Sequence, residues 1–133
     1  MEFNLKEGTV FTRKVKVTEN DTALKMGSGD LEVYATPSMI ALMENAAKSS
    51  VAKDIPEDCT TVGIEMNVQH VKSSPVGANI ECKAVLTKID RKNLFLEVEA
   101  RDDKGVIGKG SHIRFIVNSH DFMEKLKNKL NKN

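Results

Sequence analysis

The sequence predicts an α+β fold in which one apolar helix is wrapped by an antiparallel sheet, and three features predict it. Residues 34–53 carry a helix start followed by a nearly continuous apolar run. A series of long segments with period-two alternation follows from Cys59 onward. One further alternating segment precedes the helix. A sheet that must bury one face and a helix that must bury most of its surface satisfy each other by packing together.

The elements follow in chain order. In residues 10–17, Phe11, Arg13, Val15 and Val17 alternate with Val10, Thr12, Lys14 and Lys16, the pattern of a half-buried strand. Residues 18–33 hold Asn20-Asp21 and Gly27-Ser28-Gly29-Asp30, which is turn chemistry with little periodicity, and read as a mobile connection into the helix. The helix begins at Thr36-Pro37. A threonine hydroxyl can cap free backbone N–H groups, and proline at the first helical position loses a donor that had no partner. Behind it, Met39, Ile40, Ala41, Leu42, Met43, Ala46, Ala47 and Val51 leave almost no polar face, so the helix is expected to be buried nearly all round. Glu44 stands in the middle of this run. Asp54-Ile55-Pro56-Glu57-Asp58 ends the helix and returns the chain.

From Cys59 the period is two. Val62, Ile64, Met66, Val68 and His70 are expected on one face, with Thr61, Gly63, Glu65, Asn67 and Gln69 on the other. Ser73-Ser74-Pro75-Val76-Gly77 is a turn. Residues 78–90 and 94–101 are two further strands, and Asp102-Asp103-Lys104-Gly105 is a hairpin turn. Residues 106–117 form a last strand with Gly108, Gly110, His112 and Arg114 on one face, the glycines making room for the helix. Phe122, Met123, Leu126 and Leu130 give a short amphipathic C-terminal helix, with Lys125, Lys127, Lys129 and Lys132 on its outer side.

Size and composition narrow the function. A chain of 133 residues reads as a single domain, 1–133, and at that length folding buries roughly 65–70% of the unfolded surface. A net charge of +1 argues against nucleic acid or an anionic membrane as the main partner. Cys59 and Cys82 make neither a disulfide framework nor a metal signature, so no metal is expected. The first residues lack the basic and apolar regions of a secretory leader, and no stretch approaches the ~20 apolar residues of a membrane span. The expected location is cytoplasmic.

Polar groups on apolar faces are the candidates for chemistry. Glu44 on an apolar helix either escapes at an edge, pairs with a cation such as Arg114, or acts as a base with its pKa raised by desolvation. His70 ends an apolar strand face and should point at the helix. Thr36 and Glu44 lie about 12 Å apart along the helix axis. Hydroxyl, carboxylate and imidazole are therefore expected to converge near the helix's N-terminal half, where free N–H groups favour developing negative charge. Gly63, Tyr34 and Arg114 are the candidate substrate-binding residues; for Gly63 a turn or bulge is the plain alternative.

The quoted runs also carry a resemblance. Val33-Tyr-Ala-Thr36-Pro37-Ser-Met-Ile-Ala-Leu-Met-Glu44, Gly63-Ile-Glu-Met-Asn-Val-Gln-His70, Pro75-Val-Gly77 and Gly108-Lys-Gly110-Ser-His112-Ile-Arg114 together resemble the hot-dog thioesterases of the fluoroacetyl-CoA type. The resemblance implies a hot-dog fold and hydrolysis of a short acyl-CoA thioester by Thr36, Glu44 and His70. It implies coenzyme A as part of the substrate, with no separate cofactor. It also implies a homodimer with edge strands paired into one sheet, in keeping with the long unpaired edges expected here. The reading favours Glu44 leading with threonine and histidine in support, and leaves open Thr36 as the nucleophile of a triad. In that family a phenylalanine-bearing lid before the central helix gates the pocket. Residues 24–33 contain no Phe or Trp, and Gly27 and Gly29 flank Ser28. A polar, loose lid implies no marked preference for fluoroacetyl-CoA. The alternative is a non-catalytic hot-dog module that binds acyl-CoA or a related acyl ligand.

Overall fold

The computed structural model describes residues 3–131; Lys132, grouped above with the lysines of the last helix, lies outside them. The elements are β1 (Val10–Lys16), α1 (Ala23–Met26), α2 (Thr36–Val51), β2 (Cys59–His70), β3 (Asn79–Asp90), β4 (Asn93–Asp102), β5 (Gly105–Asn118) and α3 (Ser119–Leu130). Antiparallel pairing gives one five-stranded sheet in the order β1-β3-β4-β5-β2, so β1 and β2 are its edges. This is the expected hot-dog fold: a sheet curled around a central helix, followed by a C-terminal helix.

The core lies between α2 and the concave face of the sheet. Met39, Leu42, Met43, Ala46, Ala47 and Val51 of the helix meet Ile80, Cys82, Ala84 and Leu86 of β3 and Leu94, Leu96, Val98 and Ala100 of β4. Burying each large aliphatic side chain is worth about 1.5–3 kcal/mol. One sheet covers only one side of a helix, however. Pro37, Ala41, Asn45 and Lys48 recur at helical spacing and are exposed, while Ile40 and Glu44 are half-buried. The helix is thus not buried nearly all round within the chain.

Two local features depart from the alternation read in the sequence. In β2 the register with β5 shifts between Gly63 and Glu65. The extra residue, Ile64, is 55% exposed, and the bulge reverses the phase of the strand. Thr61 and Gly63 face inward before the bulge and Met66, Val68 and His70 after it, because their partners on β5 are Ile116, Arg114, His112, Gly110 and Gly108. Val62 and Ile64 therefore do not share the face of Met66 and Val68. On β5 only Gly108 makes room for the helix, since a Cβ there would lie 2.5 Å from Met39 Sδ. One at Gly110 would meet the β2 backbone, 2.1 Å from Asn67 O.

Residues 18–33, expected to be an irregular mobile connection, form defined structure. Asp21's carboxylate accepts from Thr18 N–H and Oγ–H. Thr22 Oγ accepts from Lys25 N–H at the start of α1, and Gly27 ends α1 in the left-handed region. Tyr34 N–H donates to Ser74 O, and Val33 bridges Pro75. Side-chain caps hold this segment, and hydrophobic periodicity does not register them. No residue of α3 is buried, although Phe122 is half-covered. Among the described residues no helix is long and apolar enough to cross a membrane.

Candidate active site

Thr36 is the first residue of α2, and its place differs from the one expected. The N-cap is Ala35, and no side chain caps the helix. The Thr36 hydroxyl instead shares a 2.9 Å hydrogen bond with Nδ1 of His70 at the end of β2. The helix N-terminus is left without a side-chain cap, and its amides lie beside the pair.

His70 points at the helix, as its strand position implies. Its Nε2 is buried and has no hydrogen-bond partner. Burial lowers the His70 pKa from its usual 6.5; the Lys72 carbonyl acts in the opposite sense without reaching hydrogen-bonding geometry. The ring of Tyr34 packs against it in a T-shaped arrangement, with centroids 6.4 Å apart at 81°. Tyr34 is itself buried, and burial, reinforced by the Asp21 charge, raises its phenol above the usual 10 so that it stays protonated. Thr36, His70, Tyr34, Val33, Pro37 and Ala23 line a cavity of about 270 Å³. That is just below the usual range for drug-sized ligands, which suits a short acyl group.

Glu44 belongs to a second cluster. Its Oε2 lies 3.5 Å from Nη1 of Arg114, whose side chain is 7% exposed against 44% for Glu44. The carboxylate is thus ion-paired and half in solvent, not desolvated among apolar side chains as the helix sequence suggested. Arg114 gives Nε–H to Thr61 Oγ at 2.7 Å, Nη2–H to Thr61 O at 2.8 Å and Nη1–H to His112 Nε2 at 3.2 Å. His112 Nδ1–H donates to Glu65 O at 2.7 Å. A carbonyl only accepts and a guanidinium only donates, so the two bonds fix His112 as the neutral Nδ1–H tautomer. Burial lowers its pKa, in keeping with that form. Gly63 lies directly under this group, where a Cβ would be 2.6 Å from Glu44 Oε2.

The six candidates therefore fall into two sets. Thr36, His70 and Tyr34 meet at one end of β2, and Glu44, Gly63 and Arg114 meet near the other. The expected convergence of Thr36, Glu44 and His70 does not occur within one chain. Glu44 makes no hydrogen bond or ion pair with Thr36 or His70, being held to Arg114 two helical turns along α2. Thr61 and His112 complete the second cluster. Alternation alone does not reveal Thr61, because the bulge reverses the phase on which its placement depends; the signal for it is Gly63, a glycine inside a strand.

Comparison with known proteins agrees with this architecture. The family profile of the fluoroacetyl-CoA-specific thioesterase matches residues 17–120. A fluoroacetyl-CoA thioesterase from Streptantibioticus cattleyicolor is 30% identical over 98 residues, covering 74% of this chain and 70% of that protein. A solved structure of the fluoroacetyl-CoA thioesterase superposes with a TM-score of 0.89 at 26% identity, covering 94% of this chain and 97% of the other. A threonine-to-serine mutant of that enzyme in complex with acetyl-CoA gives a TM-score of 0.90 at 25% identity, with coverage of 94% and 98%. A thioesterase superfamily member from Thermus thermophilus gives 0.85 at 25% identity, with coverage of 95% and 93%.

Proposed function

Since the chain belongs to the fluoroacetyl-CoA-specific thioesterase family of thioester hydrolases, we propose that it hydrolyses a short-chain acyl-CoA, without strong preference for the fluorinated acyl group, at a site shared by two copies of the chain. The observation that carries this reading is the Thr36–His70 hydrogen bond at the mouth of a small cavity, with the other imidazole nitrogen buried and unpartnered. An orphaned buried nitrogen is costly and calls for a partner. Among the described residues no carboxylate supplies one.

A second copy supplies one readily. β2 is an edge strand of twelve residues without proline or lysine, whereas the other edge, β1, carries Arg13, Lys14 and Lys16. Apart from its bulge at Ile64 and the charge of Glu65, β2 carries none of the usual edge protections, and a long edge of that kind can take a partner strand. Antiparallel pairing of β2 with its own copy, about an axis near Met66 and Asn67, sets His70 opposite Gly63 of the partner subunit. The Glu44 carboxylate lies over Gly63, so the partner's Glu44 arrives beside His70.

In this reading Thr36 Oγ attacks the thioester carbonyl while His70 takes its proton, oriented by the partner's Glu44. The uncapped N-terminus of α2 faces the oxyanion. Collapse expels the CoA thiolate, which takes the proton from His70, and water then hydrolyses the acyl-threonine. The half-exposure of Glu44 favours a second reading, in which the carboxylate deprotonates water and Thr36 only orients the carbonyl. Thiol release from acetyl-CoA tests both. Glu44→Gln and His70→Ala should each lose about 10²-fold or more. Thr36→Ser should stay active. Thr36→Ala falls as far as the other two if threonine is the nucleophile, and only about tenfold if it orients. Wild-type rates in Glu44→Gln or His70→Ala would remove that residue from the mechanism.

A further inference from the structure

We propose that His112 and Arg114 are positioning residues for Glu44: they form a buried hydrogen-bonded relay that holds its carboxylate in one place over Gly63. The inference rests on the reading that Glu44 acts on the thioester. The relay begins at the bulge, where the reversed phase of β2 lets Glu65 O accept from His112 Nδ1–H. The fixed tautomer leaves His112 Nε2 as an acceptor facing Arg114 Nη1. Thr61 takes the two other edges of the guanidinium through Oγ and its carbonyl, so the plane of Arg114 is set at three points. Its remaining reach is toward Glu44 Oε2, at 3.5 Å.

Energetics separates this arrangement from ordinary packing. A buried cation is expensive, and apolar residues of similar volume commonly do as well or better for stability. Here an arginine and a histidine, both buried, are spent on a carboxylate that is itself half-exposed and would otherwise sample several rotamers. Freezing a glutamate side chain costs rotamer entropy, and the relay supplies the opposing contacts.

The test uses the full chain with acetyl-CoA as the probe. His112→Met keeps volume and removes the acceptor, whereas His112→Gln keeps an acceptor oxygen at similar reach. With circular dichroism and Tm showing folded protein, His112→Met and Arg114→Met should lose about tenfold or more in kcat while KM stays within about twofold. His112→Gln should recover most of the rate. Adding Arg114→Met to Glu44→Gln should cost nothing further, because both changes remove the same carboxylate action. If Arg114→Met does not fold, Arg114→Lys, which keeps the charge but lacks the fork, serves in its place. The proposal is overturned if folded His112→Met and Arg114→Met turn over at wild-type kcat while Glu44→Gln is dead, or if the double variant loses the product of the single effects. A Glu44→Gln that turns over normally would instead overturn the underlying role of Glu44.

Discussion

At Gly63 one missing methyl group decides where a carboxylate sits. An added Cβ would lie 2.6 Å from Glu44 Oε2 and 3.3 Å from Arg114 Nη1. Gly63 is absent from the positive-φ glycines, so alanine brings no backbone strain, and the nearest atom is the movable end of a side chain. Gly63→Ala is therefore expected to fold with a Tm within a few degrees of wild type while displacing Glu44 and cutting kcat by about tenfold or more. Wild-type turnover in that variant would show that the carboxylate's position over Gly63 is immaterial. His112 gives a second expectation at this scale. Burial holds it below the usual 6.5 in the fold, with Arg114 depressing it further against the pull of Glu65 O and Glu44. The unfolded chain then binds more protons just below pH 6.5, so stability is full above that value and falls as pH drops through it. The carboxylate Asp102, held low mainly by the Ser74 hydrogen bond, matters only in a lower window, below its own usual 3.8. Tm should fall between pH 7.5 and 5.5, and His112→Gln should fall by less. An equal fall in both proteins would separate His112 from the effect.

Elements show how much the sequence made legible. The order of strands and helices, and the helix seated on the sheet, follow from period alone, because long alternating segments leave little choice of face. Two elements escaped for identifiable reasons. In β2, pairing register overrode local alternation: Arg114 and Gly63 sit opposite each other only if Ile64 bulges out. At the start of α2, Thr36 has capping chemistry, but the tertiary partner His70 takes its hydroxyl. The pairing of Thr36 with His70 was legible; the separation of Glu44 from both was not, since sequence places residues on faces but does not measure along a strand. Residues 18–33 bear on selectivity. Capping makes this segment more ordered than its glycines suggested, yet Leu24, Met26 and Leu31 are exposed and no Phe or Trp lies within it. Tyr34 remains the aromatic wall of the cavity. Fluorine and hydrogen differ little in size, so strong discrimination needs a dry, closely shaped lid. We therefore expect kcat/KM for fluoroacetyl-CoA over acetyl-CoA, corrected for fluorine's activation of the carbonyl, to stay below about 10³-fold, or ~4 kcal/mol. A larger ratio would mean that this lid seals without an aromatic.

At the scale of the whole molecule, one chain carries two polar clusters at the two ends of one edge strand, which the proposed dimer would join into one site. Thr36 and His70 stand at the Gly108 end of β2 and Glu44 at the Arg114 end, with seven residues from Gly63 to His70 spanning roughly 20 Å. Two-fold symmetry makes an antiparallel pair of such strands self-complementary, so each end meets the other end of its copy. Light scattering is expected to give twice the chain's 14.7 kDa, and a monomer at micromolar concentration would remove the shared site. Mass alone, however, does not say which copy supplies the carboxylate. Mixing two inactive variants does. In a dimer of one Glu44→Gln chain with one His70→Ala chain, a shared arrangement leaves one site with both defects. The other site combines intact Thr36 and His70 from the first chain with Glu44 of the partner subunit. Random exchange after co-refolding should thus restore about a quarter of wild-type activity, since half the dimers are mixed and each has one good site of two. If all three groups acted within a single chain, every site in the mixture would carry one defect, and activity would stay at the level of the separate variants.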